Sequence, residues 1–223
     1  MTRDPVNQPN IDFAETRGAI RLGLLKSREW VSDPRRFLFS QARYKFAAKM
    51  LSGRKHVLEI GCGDAFNAPI VMQEVGHLTV TDFDPEFIAS AQAQRQPEYP
   101  YDAVVHNFLD GPLPKQFDAA YLLDVLEHIY ETDEKKFIGN IMSSLTDDAV
   151  MIVGMPSLES QAYASEGSKA GHVNCKTAPD LKKTMQHFFR SVFMFSMNDE
   201  VVHTGYHKLA HYIIALCAHP IRP

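Results

Sequence analysis

An α/β chain built on a largely parallel sheet is what this sequence predicts, and three observations carry that expectation. Residues Val57-Leu58-Glu59-Ile60 form a mostly apolar run with β-branched ends, as in a strand buried on both faces of a parallel sheet. That run breaks into Gly61-Cys62-Gly63-Asp64, a glycine-rich turn, and residues 65–74 then read as a helix. Further strand-like runs follow at 78–81, 101–106, 117–123 and 150–155, with helical or polar stretches between them.

The chain's 223 residues, 45% of them hydrophobic, suffice for one sizeable core, with residues 1–31 as a tail and extension and 32–223 as the domain. Cys62, Cys175 and Cys217 are widely spaced and odd in number, which excludes a disulfide framework and suits a reducing cytoplasm. There is no apolar run long enough to span a bilayer and no signal-peptide pattern in Met1–Asn10, so a cytoplasmic protein is expected. The net charge of -4 is uneven. Residues 1–55 carry 12 Lys and Arg against 5 Asp and Glu, while the remainder is strongly acidic, which argues against a nucleic-acid partner. A homodimer is compatible with the sequence.

Residues 1–12 read as a tail. Ser32-Asp33-Pro34 is a helix start, and Phe37, Ala42, Phe46, Ala47 and Leu51 recur at helical spacing behind it. Two glycines alone would also suit a dinucleotide fingerprint, but Phe66 stands where that pattern needs a third glycine, and Glu59 sits two residues before the first. The combination resembles motif I of the class I S-adenosylmethionine (SAM) dependent methyltransferases. Glu59 is expected to organise the amides of the turn, and Gly61, Cys62 and Gly63 to cradle the cofactor. Asp82 closes the second strand 21 residues after Gly61, near the spacing at which such an acid meets a ribose. It matches the family's second motif, with Phe83 beside it. Asn107-Phe108, after the third strand, stands where the family has an adenine-binding acid; Asn107 would accept from the adenine amine and Phe108 would stack on the ring.

Phe117-Asp118-Ala119-Ala120-Tyr121-Leu122-Leu123 leads into Asp124-Val125-Leu126-Glu127-His128, which resembles the family's post-strand motif. Leu123 is expected against the cofactor, and Asp118, at the far end of the strand, is structural. If residues 124–128 turn helically, Asp124, Glu127 and His128 share a face. Together with His172 they echo the metal-binding set of the ubiquinone-biosynthesis and plant small-RNA methyltransferases, so Asp124, Glu127, His128 and His172 are candidate Mg2+ ligands. His128 and His172 are alternatively general bases. The bland reading is that these acids complement a helix N-terminus.

The resemblance implies a Rossmann-like, doubly wound, seven-stranded and mostly parallel sheet with an antiparallel last strand and an N-terminal helical extension. Arg43 and Tyr44 of the preceding helix would reach the cofactor's carboxylate end or simply pack on the sheet. The polar loop 159–174 would recognise a small hydroxylated acceptor, a sugar or nucleotide-linked metabolite, with the 197–207 connection, including His203 and Tyr206, folding over it. The expected function is O-methylation from SAM. The alternatives are N-methylation, RNA 2′-O-methylation and, in another class, a SAM-binding regulatory subunit without turnover.

Overall fold

The computed structural model describes residues 2–222, and its core is a twisted sheet sandwiched between two helical layers. In chain order the elements that place the site are α1 (Gln8–Arg17), α2 (Leu24–Ser32), α3 (Pro34–Met50), β1 (Val57–Ile60), α4 (Ala68–Met72), β2 (Leu78–Asp82), α5 (Pro85–Gln94), β3 (Asp102–Val105) and β4 (Phe117–Leu123). They continue with α6 (Glu131–Ser143), β5 (Leu145–Pro156), α7 (Glu166–Gly171), α8 (Ala178–Gln186), β6 (Phe189–Asn198), β7 (Val201–His203) and β8 (Tyr212–Pro220). The strand order is β3-β2-β1-β4-β5-β8-β6-β7, with β1 to β5 paired in parallel and β8 antiparallel to both β5 and β6. The eighth strand, β7, is a short edge hairpin on β6.

The period-two alternation of each strand divides the core. Leu58, Ile60, Ala120 and Leu122 face Phe137, Ile138 and Ile141 of α6 and Leu181 and Met185 of α8. Val57, Val80, Tyr121 and Ile214 face Ala47 of α3 and Leu51 just after it, Val71 of α4 and Ile88 of α5. The sheet is therefore wound on both faces, and its order reverses between β1 and β4, where such sheets open a ligand crevice at their carboxyl ends.

α3 starts where expected: Asp33 accepts from the Arg35 amide, and Pro34 occupies the first turn, where its missing N–H costs nothing. Other boundaries differ from the sequence expectation. The helix expected over 65–74 is only α4, because Ala65 takes a positive φ of 51° and delays helical geometry. β5 begins at Leu145, ahead of the apolar run, and Lys208 falls in a 3-10 turn before β8. Part of the expected tail is helical as α1, with no buried residue. No described helix is long and apolar enough to cross a membrane.

Candidate active site

The turn after β1 is built for close approach. Gly61 and Gly63 have φ of +70° and +53°, which side chains resist. A Cβ on Gly61 would fall 2.4 Å from Val125 Cγ2, and one on Gly63 would fall 2.4 Å from Leu25 Cδ1. The turn is thus overlain by the β4 exit on one side and by α2 on the other. Cys62 is buried, and burial pushes its thiol pKa up.

Asp82, at the end of β2, accepts the Gly63 amide on Oδ2 at 2.9 Å and the Asp84 amide on Oδ1 at 3.0 Å. A carboxylate offers about four lone-pair sites, so each oxygen keeps capacity for a further donor. Glu59 does not organise the turn as expected. Its side chain points into the α3 face of the sheet, where Tyr44 and Tyr121 both donate to it, the latter at 2.8 Å. Burial raises its pKa to about 7, against the pull of these two phenols. The turn's acid is instead Asp64, whose Oδ2 accepts from the Leu25 and Lys26 amides at 2.8 and 2.9 Å and so fastens the first turn of α2. Negative charge is favoured there by the helix dipole. Gly23 permits the approach, since a Cβ on it would lie 2.3 Å from Asp64 Oδ2.

The adenine-side candidates separate. Phe83 is 73% exposed, an open aromatic face next to Asp82. Phe108 is 1% exposed and packs edge-on against His106 and Phe137, so its faces are not available for stacking. Its apolar side chain joins the α6 layer because β3 ends at Val105 and the chain turns inward. Asn107 Oδ1 accepts from the Leu109 amide, closing a local turn, and keeps its second lone pair. Leu123 lies at the carboxyl end of β4, almost buried. Asp118 caps the opposite end by accepting the Lys55 and His56 amides.

Beyond Leu123 the backbone turns sharply. Asp124 has φ of +60° and donates its amide to the Gly154 carbonyl. The turn sends its side chain to Arg43 rather than to Glu127 and His128, because the helical turn covers only Leu126–His128, as a 3-10 turn. Arg43 in turn lies over the Tyr212 ring, 3.7 Å from its centroid. Burial works against the Arg43 charge, but Asp124, Tyr212 and Glu127 together outweigh it and hold the pKa up. Tyr212 crosses β5 at Gly154, where a Cβ would fall 2.8 Å from its hydroxyl.

Glu127, His128 and His172 do converge: ligand atoms from all three lie within 4.8 Å of one another. Glu127 is 0% exposed, and neither carboxylate oxygen has a hydrogen-bond partner among the described residues. Burial, with the Asp124 charge behind it, drives its pKa well up. The rings of His128 and His172 meet edge to face at 5.3 Å. His128 Nδ1 lies 2.8 Å from the Gly171 carbonyl, and His172 Nδ1 lies 2.8 Å from Gln161 Oε1. Burial and the neighbouring His128 lower the His172 pKa. The Val173 and Asn174 amides both donate to the Glu127 carbonyl, which ties the downstream histidine to the β4 exit. His203 instead bonds Asn198 across the β6–β7 hairpin, and Tyr206 stands exposed beyond it.

Sequence reasoning missed Asp64, Gly154, Tyr212 and the role of Gln161. Asp64 had a readable signal, an acid directly after the glycine pair. Tyr212 and Gly154 had none, since Gly154 meets Asp124 through the β4–β5 pairing and Tyr212 meets Arg43 where α3 packs on the sheet.

Comparison with known proteins agrees with this architecture. A family model described as a methyltransferase domain matches residues 58–151. A probable S-adenosylmethionine-dependent methyltransferase of Mycolicibacterium smegmatis is 26% identical over 137 residues, 60% of this chain and 48% of the relative, so the match spans about half of that protein's length. Among solved structures, N-methyltransferase NodS from Bradyrhizobium japonicum in complex with S-adenosyl-L-homocysteine superposes with a TM-score of 0.60 at 18% identity, over 84% of this chain and 87% of that one. The methyltransferase domain of bacterial CtHen1 superposes with a TM-score of 0.67 at 15% identity, over 81% and 98%. At these identities the likeness is one of fold.

Proposed function

We propose that this chain is a class I S-adenosylmethionine-dependent methyltransferase and moves the methyl group of SAM onto a hydroxyl of a small polar acceptor such as a sugar or nucleotide-linked metabolite. The cofactor fits what the chain offers: a glycine turn with no room for a Cβ, an acid at the end of β2 with lone pairs to spare, and an exposed aromatic beside it. In this reading Gly61 to Gly63 carry the methionine end, Asp82 accepts from the ribose hydroxyls and Phe83 stacks on the adenine.

The observation that carries the acceptor reading is the convergence of Glu127, His128 and His172. The Gly171 carbonyl can only accept, so neutral His128 carries its proton on Nδ1 and presents an Nε2 lone pair. His172, bonded through Nδ1 to Gln161, does the same. Two imidazole lone pairs face the Glu127 carboxyl group, neither oxygen of which has a partner among the described residues, so the cluster can take a cation, on loss of the carboxyl proton, or an incoming O–H. Hydroxyls are weak acids whose proton must be taken or polarised before attack on a sulfonium carbon, whereas an amine needs only a free lone pair. The cluster therefore supports O-methylation over N-methylation, and the acidic body supports a small acceptor over RNA.

Glu127, His128 and His172 would hold a divalent cation, while Asp124 is committed to Arg43. Two imidazoles and one carboxylate suit a borderline ion such as Mn2+ or Zn2+ better than Mg2+, which prefers oxygen. Bound there, such an ion lowers the pKa of a coordinated hydroxyl. Without it, His172 is the better base, since its lowered pKa keeps it neutral and its Nε2 free.

The test is release of S-adenosylhomocysteine with panels of hydroxylated and amine acceptors, in EDTA and with added Mn2+ or Mg2+, for wild type and His172→Ala. Turnover on hydroxyls that falls in His172→Ala supports the reading, and its response to EDTA separates metal from histidine base. Turnover on amines alone overturns it. SAM binding with no turnover on any acceptor leaves a regulatory subunit.

A further inference from the structure

We infer that Gln161 is a positioning residue that determines which nitrogen of His172 stays proton-free, an inference that rests on the reading of His172 as base or ligand. The Gln161 amide has its own orientation imposed on it. Its Nε2 donates to the Ser157 carbonyl at 3.2 Å and to Ser160 Oγ at 3.3 Å. A carbonyl can only accept, so the amide nitrogen belongs on that side and Oε1 must face His172. Nδ1 of His172, 2.8 Å away, therefore carries the hydrogen, and Nε2 is left as a lone pair toward Glu127 and His128.

The source of this control is the loop after β5. Ser157 is itself buried and anchored by donating its hydroxyl to the Ala210 carbonyl at 2.7 Å, and its amide to the His211 carbonyl. The orientation of the Gln161 amide is thus referred back to residues 210–211, the segment that leads into β8. The same loop supplies the Gly171 carbonyl that holds His128. Both rings take their proton placement from one connection, residues 157–171, which leaves β5 beside the crevice and overlaps the loop 159–174 expected to meet the acceptor. A histidine free in water favours the opposite arrangement, with the hydrogen on Nε2, so without Gln161 the His172 ring would turn a donor toward the cluster.

The experiment is 15N NMR of the full chain labelled at histidine, in EDTA, with His172→Asn used to assign the resonances of His172. In wild type, His172 is expected as the Nδ1–H form. Gln161→Leu is expected to move it predominantly to Nε2–H while leaving His128 unchanged, and Gln161→Glu, which keeps an acceptor, to restore Nδ1–H. On an accepted hydroxyl substrate, Gln161→Leu should lower kcat about 10- to 100-fold with little change in KM, and Gln161→Glu should recover most of it. A wild-type His172 already protonated on Nε2, or a leucine variant with an unaltered tautomer, overturns the inference. The spectra need no turnover: the expected tautomers in a protein that methylates no hydroxyl would refute the acceptor reading and leave the role of Gln161 standing.

Discussion

One guanidinium nitrogen of Arg43, Nη1, reaches both carboxylate oxygens of Asp124, at 2.7 and 2.9 Å, and so ties the middle of α3 to the exit of β4. The pair holds Asp124 in the left-handed region, where non-glycine residues rest only when their surroundings insist. Arg43→Met keeps the stem over Tyr212 but removes the charge. Because the Asp124 side chain is 40% exposed, water screens part of the loss, and we expect about 1–2 kcal/mol in urea unfolding, below the cost of breaking a fully buried pair. Asp124→Gly in the Arg43→Met background should regain part of this by relieving the backbone. If the double variant is less stable than the single, strain at residue 124 is not the cause.

Gly61→Ala meets two obstacles, a positive φ and the side chain of Val125. It should weaken S-adenosylhomocysteine binding at least about 10-fold by calorimetry and cost about 2 kcal/mol of stability. Adding Val125→Ala removes the steric obstacle only, so partial recovery is expected. Full recovery would mean that the left-handed backbone carries no penalty here.

Glu59, at about 7 against an ordinary 4.5, gives a pH dependence of definite sign. A carboxyl whose folded pKa exceeds its unfolded one binds more proton in the folded state between those values, so stability falls as pH rises from about 4.5 to about 7 and then levels. The penalty above that window is on the order of 3 kcal/mol. Glu59→Gln keeps an acceptor for Tyr44 or Tyr121 and cannot ionise. Its urea midpoint should exceed that of wild type near pH 8 and converge with it near pH 5; parallel profiles would refute the assignment.

Lys176 and Glu134 form an ion pair at 3.0 Å with both side chains about nine-tenths buried, joined by Asn174, which donates to Glu134 at 2.8 Å. Lys176→Met leaves the carboxylate of Glu134 without its cation and should cost about 3 kcal/mol. Lys176→Met with Glu134→Leu should recover most of that. Since residues 172–176 carry His172, the single variant should also raise amide exchange in that segment, measurable by mass spectrometry.

The strands and the glycine turn were legible because their signals are local. A run of apolar residues buried on both faces, and a glycine needed for positive φ, each reflect forces within a few residues. The spacing of Asp82 from Gly61 was legible too, since a strand–helix–strand unit has a narrow range of lengths. Glu127, His128 and His172 were named from pattern, and the structure brings them together.

What the sequence determined by itself was the alternation of elements, the crevice they open and the chemical types of residue around it. The tertiary structure alone decided the partners. Asp124 belongs to Arg43 rather than to Glu127, Phe108 to the α6 core rather than to an open face, Glu59 to two tyrosines rather than to the turn, and His172 to Gln161. The physical reason is that a side chain's partner is fixed by which segments the sheet brings side by side and by the sign of one backbone φ. Neither is encoded in the few residues around it.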